Sequence, residues 1–168
     1  MTDLMHDQLA AQFAQVPGGA EMLPKYDVLM ANFIAGKPFV ADPGLPEGVN
    51  NLVKGFYEPV NLPFTRELFA TTSGPMLAQM TVPTLVIIGK KDIQVNWQAD
   101  GSLNEKAAAG KANITFAYPE TANHILKYEV KPFAELSGAD SLQYNASDKV
   151  LDTDTMKIIK DWLAAKSK

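Results

Sequence analysis

The chain has 168 residues, 46% hydrophobic and 20% charged, ordinary values for one globular domain, or a core plus a small satellite. A net charge of −4 and a pI near 5.1 argue against a nucleic-acid binder, whose affinity rests on clustered Lys and Arg; the lysines here are scattered, in short pairs such as Lys90-Lys91. With no cysteine, disulfides, thiolate metal sites and cysteine nucleophiles are excluded, and compartment is left open.

Residues 1 to about 80 read as helices with frequent breaks. In "TDLMHDQLAAQFAQV" the residues Leu4, Met5, Leu9, Phe13 and Val16 fall near helical spacing, with Thr2 or Asp3 as N-cap, and "PGG" at 17–19 stops the helix. "AEMLPKYDVLMANFIAGKP" gives a second amphipathic helix that ends at Gly36 and Pro38. The Pro and Gly content of "FVADPGLPEGVNN" (39–51) predicts a loop. "VNLPFTRELFATTSGPMLAQM" then predicts short helices, the later one started by Ser73 and Pro75.

The pattern changes after residue 80. "TVPTLVIIG" is a continuous apolar, β-branched run stopped by Gly89, which predicts a strand buried on both faces of a parallel sheet. At eight residues, its core "VPTLVIIG" is too short to span a bilayer. No basic-then-apolar signal segment opens the chain either. "NWQADGSLNEKAAAGK" (96–111) predicts a helix weakened by Gly101, "ANITFAYPE" a second strand, 131–150 a loop, and "DTDTMKIIKDWLAAKSK" a final helix burying Ile158, Ile159, Trp162 and Leu163. The expected fold class is α/β, with helices followed by a β-α-β-α unit of a parallel sheet. Two strands alone make a marginal sheet, so some further surface must cover their apolar edges.

In such sheets chemistry collects beyond the carboxyl ends of the strands. The first strand runs into "GKKDIQV", with Asp92, and the second into "YPETANHILK", with His124. Parallel neighbours bring these loops to one rim of the sheet. A carboxylate that fixes an imidazole's tautomer is two thirds of a nucleophilic triad. A lone histidine is more often structural than catalytic, and Asp is common as a turn residue; both readings stand at this point.

"VPTLVIIGKKDIQV", then "ANHILK" and a closing amphipathic helix resemble the C-terminal part of an α/β-hydrolase, in the serine aminopeptidase or lysophospholipase-like esterase branch. The resemblance implies a partial α/β-hydrolase fold. Residues 1–78 would be a helical lid and 79–168 the portion carrying the acid and histidine loops. Asp92 would be the triad acid, His124 the general base, and the substrate a small ester or amide. Asn123 would bond within the histidine loop or be a plain loop residue.

The family's nucleophile elbow, G-x-S-x-G, is absent: Ser73, Ser102, Ser137, Ser141, Ser147 and Ser167 are not flanked that way. The expectation is therefore a C-terminal fragment of a serine hydrolase, inactive alone. It would pair with the missing N-terminal half or with itself, as a dimer or swapped oligomer. The alternative is a non-catalytic assembly module that pairs through the open sheet edge.

Other motifs imply no cofactor and no metal. His6 and His124 lack ligand spacing, "GKKD" and "AGKP" lack phosphate-loop context, and "LDTDTMK" reads as a helix N-cap rather than a calcium loop. Phe33, Phe39, Phe56, Tyr57, Phe64 and Phe69 read as packing residues, some of them candidates to line an acyl pocket.

Overall fold

The computed structural model describes residues 2–166, with side chains from Met5 onward. The N-cap role expected of Thr2 or Asp3 thus rests on side chains outside those described, as does Ser167. The chain divides into two compact units, Met1–Thr72 and Ser73–Lys168.

The first unit is helical: α1 Thr2–Phe13, α2 Gly19–Ile34, α3 Glu47–Phe56 and α4 Leu62–Ala70. Its core gathers Leu9 and Phe13 from α1, Tyr26, Leu29, Met30 and Phe33 from α2, Leu45, Val49 and Val53, and Phe69 from α4. Phe33 is fully buried; the rings of Phe56, Tyr57 and Phe69 have their centroids 5.0–6.0 Å from it, and the Arg66 guanidinium lies 5.6 Å from its centroid. Edge-to-face pairs of this kind contribute about 0.5–1.5 kcal/mol each beyond the area they bury.

Helix α3 corrects the loop expected over 39–51. The Pro- and Gly-rich signal is confined to the segment before Glu47, whereas Val49, Val53 and Phe56 recur at helical spacing and turn toward the core. Asn50 ties the two together. Its Oδ1 accepts from the Asp42 amide at 2.9 Å, and its Nδ2 donates to the carbonyls of Asp42 (2.9 Å) and Leu45 (3.2 Å). Of the six aromatics read as packing or pocket residues, Phe64 is 68% exposed and the other five pack on this core. An open groove of about 440 Å³ lies elsewhere in the unit, between α1 and the start of α3, and none of the six lines it.

The second unit is mixed α/β: α5 Ser73–Gln79, β1 Thr84–Ile87, α6 Ala99–Ala107, β2 Ile114–Ala117, α7 Gly138–Ser141 and α8 Thr153–Lys166. Strands β1 and β2 pair in parallel, Thr84 opposite Ile114 through Ile87 opposite Ala117. Helix α5, read from sequence with the helical half, belongs here. Ser73 Oγ donates to Asn104 Oδ1 on α6 at 2.6 Å, and Gly74 lies against Ala107. Gly101, which weakens α6 by propensity, marks a close approach, since a Cβ there would stand 2.8 Å from the Tyr118 hydroxyl.

Two expectations fail in this unit. Strand β1 is only half-buried along its whole length, and among the described residues β2 is its sole strand partner. In α8 the buried residue is Thr155; Ile158, Ile159 and Trp162 are half-buried and Leu163 is 51% exposed. The apolar pattern of both elements exceeds what this unit covers.

Candidate active site

Asp92 and His124 stand in the loops that leave the carboxyl ends of β1 and β2. What brings the loops together is Gly89, where a Cβ would lie 2.0 Å from the Ala122 carbonyl oxygen. Only a residue without a side chain lets the two backbones come this close. Two amides then cross from one loop to the other, Lys90 N–H to the Pro119 carbonyl (2.9 Å) and Lys91 N–H to the Ala122 carbonyl (3.0 Å). Lys90 adds a side-chain tie, pairing with Glu120 while its ammonium lies 4.7 Å from the Trp97 ring centroid.

The His124 Nδ1 and Asp92 Oδ2 atoms are 2.9 Å apart. Asp92 is 5% exposed, and its other oxygen, Oδ1, accepts from the amides of Gln94 (2.7 Å) and Val95 (2.9 Å). Those bonds offset the cost of burying a carboxylate and fix its orientation. With Asp92 as the acceptor, Nδ1 is the donor of the pair, and in the neutral imidazole of that tautomer Nε2 holds the lone pair. The imidazole is 37% exposed, and Nε2 has no hydrogen-bond partner among the described residues. The pair is an imidazole held in place by a buried carboxylate, with its second nitrogen unpaired among the described residues.

Asn123 is fully buried and shapes the turn that presents His124. Its Oδ1 accepts from the amides of Ile125 (3.1 Å) and Lys127 (3.0 Å), and its own amide donates to the Lys127 carbonyl at 2.9 Å. Of the two roles left open for it, the bond within the histidine loop is the one observed. Its Nδ2 is buried without a partner among the described residues. The turn closes through Leu126 at φ 61°, a left-handed conformation that costs a branched residue about 1–2 kcal/mol and persists only where surrounding bonds enforce it.

Three buried groups that sequence reasoning did not single out surround this loop. Asp152 receives Thr121 Oγ1 at 2.5 Å. Glu129 pairs with Lys149 at 3.1 Å and accepts the Lys131 amide. Burial works to raise the pKa of each, but the hydrogen bonds to Thr121, Thr155 and Asp154, and to Lys131 and Lys149, outweigh it and hold both carboxyls below their ordinary range. Tyr144, 5% exposed, reaches back from the 131–150 segment to the acid loop. Burial and the Asp92 charge push its phenol up, against a smaller pull from the Ile93 amide. Only the "LDTDTMK" cap signal pointed at any of the three, through Asp152.

The serines do not complete the pair. Ser73 is bonded to Asn104, Ser137 to Asp140 at 2.9 Å and Ser141 to the Gly138 carbonyl at 2.6 Å, while Ser102 lies within α6. None of the described serines hydrogen-bonds His124. No group of three or more His, Asp or Glu able to hold a metal occurs among the described residues, and none of their helices is long and apolar enough to cross a membrane. Compared with family models, curated proteins and solved structures, the chain matches none.

Proposed function

We propose that this chain supplies the acid and base of a serine hydrolase of the α/β-hydrolase class, acting on ester or amide bonds. Its nucleophile and oxyanion donors would come from a polypeptide segment outside these residues. The observation that carries the reading is the Asp92–His124 pair, 2.9 Å apart at the carboxyl rim of two parallel strands, with Asp92 held by two amides and Nε2 open. In the reaction Nε2 takes the proton of an attacking serine hydroxyl and returns it to the leaving group, while Asp92 holds the Nδ1–H tautomer and stabilises the imidazolium. The helical unit takes the part of a lid.

The half-buried β1 supports a companion proposal, that the sheet edge is covered by that same segment or, in its absence, by a second copy of the chain. A purely assembling module without catalysis is the alternative, favoured by the same open edge. Fluorophosphonate labelling combined with native mass on the purified chain tests both. The expected result is no label, a mass of two or more chains, and no effect of His124→Ala. Ester hydrolysis or labelling at one serine that disappears in His124→Ala would place the nucleophile within this chain and overturn the fragment reading.

A further inference from the structure

We propose that Asp152 is a positioning residue for His124, clasping both arms of the histidine loop to the first turn of α8. The proposal deepens the reading of the Asp92–His124 pair and rests on it. Asp152 is 1% exposed and is the N-cap of α8: its Oδ1 accepts from the Thr155 amide at 2.7 Å and from Thr155 Oγ1 at 2.8 Å. Capping requires no more than that. Beyond its bonds within α8, two bonds tie Asp152 to the histidine loop. Oδ2 accepts from Thr121 Oγ1 at 2.5 Å on the arm that enters the loop, and the Asp152 amide donates to the Leu126 carbonyl at 3.0 Å on the arm that leaves it.

His124 lies between these two anchor points. The second anchor falls on the residue in the left-handed conformation, so the clasp holds the turn where it is least favourable on its own. The seam continues beyond it, with Lys127 bridged to Leu151 and the Tyr128 amide donating to the Val150 carbonyl at 2.9 Å. Helix α8 thereby serves as the fixed post against which the imidazole is aimed at Asp92.

Thr121→Val separates positioning from capping, because it removes the loop-side donor and leaves the Asp152–Thr155 cap intact. The readout is the His124 Nδ1 proton in ¹⁵N-histidine-labelled chain, followed by NMR for tautomer and exchange with water, with Asp92→Asn as the control that abolishes the pair. The expected result is exchange about fivefold or more faster in Thr121→Val, the amount one net hydrogen bond provides, and recovery in Thr121→Ser. Thr155→Val removes the hydroxyl bond to Asp152 Oδ1 on the helix side, keeps the Thr155 amide bond, and should leave the His124 proton unchanged. Should the valine variant not fold, Thr121→Ala is read by the same comparisons.

An unchanged rate in Thr121→Val, or an equal rise in Thr155→Val, makes Asp152 a cap alone; the proposal then falls and the pair stands. A wild-type chain without a protected Nδ1 proton sensitive to Asp92→Asn removes the pair itself, and the clasp with it.

Discussion

Among the described residues of the helical unit the buried hydrophobic side chains are Leu9, Phe13, Tyr26, Leu29, Met30, Phe33, Leu45, Val49, Val53 and Phe69, with Asn50 the buried polar one. In the α/β unit the balance reverses: Ile88, Ala108, Ala122 and Tyr144 are the buried apolar residues, against Asp92, Asn104, Asn123, Glu129, Asp152 and Thr155. One unit is held by apolar packing, which is non-directional and scales with area. The other is held by hydrogen bonds to buried carboxylates and amides, which contribute little net stability but fix geometry. Among the geometries fixed in this way is the Asp92–His124 pair.

The comparison is most severely tested in the apolar unit. Phe33→Ala should cost about 3–5 kcal/mol, since it empties the centre of the aromatic cluster; urea unfolding followed by circular dichroism reads it. A loss below about 1 kcal/mol would mean that the ring cluster is not what holds the helices.

Gly89→Ala comes next. The added Cβ would stand 2.0 Å from a backbone oxygen, so the two loops must part, at an expected cost of about 1–3 kcal/mol. The same variant should disturb the His124 Nδ1 proton. Stability lost without any change at His124 would show that the close approach does not set the pair.

Acid should act on the polar unit. Glu129 and Asp152 have folded-state pKa values below those of the unfolded chain, so their contribution is complete above the unfolded values of 4.5 and 3.8 and is lost as pH falls through the lowered folded ones. Amide exchange of residues 121–129 followed from pH 6 downward should show protection disappearing below about pH 4, whereas the α2 amides, which depend on apolar packing, change less. Tyr26 in α2 gives the opposite sign. Burial and then Asp27 push its phenol up to about 12, so its contribution is full below the unfolded tyrosine value and is lost only as pH rises through the folded one.

The smallest effect is expected at the surface of the polar unit. Leu142 is 81% exposed, and Leu142→Ser should change stability by no more than about 0.5 kcal/mol. A larger loss in a native-mass or unfolding assay would mean that a second chain covers this side chain in solution.

What could be read without coordinates followed from local pattern. The two β-branched runs gave β1 and β2, their order gave a parallel pair, and "LDTDTMK" gave the α8 cap. The loops holding Asp92 and His124 followed because residues just past parallel strands share a rim. Helix α3 escapes a reading along the chain because Pro43, Gly44, Pro46 and Gly48 outweigh its apolar positions Val49, Leu52, Val53 and Phe56. The buried face expected of α8 exceeds the one observed for a related reason: periodicity says which residues share a face, and not whether anything covers it.

The sequence by itself determined the two strands, most of the helices, their order, and the residue types offered at the sheet's rim, because propensity and periodicity are properties of neighbours in the chain; α3 and the short α7 fell in stretches it read as loop. Only the tertiary structure decided that Gly89 lets the loops touch at Ala122, that β1 remains half-covered, and that Asp152 reaches back to Thr121 and Leu126. Those contacts join residues distant in sequence at separations of a few ångströms. Their energies depend on directional bonds and burial, which exist only once the chain has closed on itself.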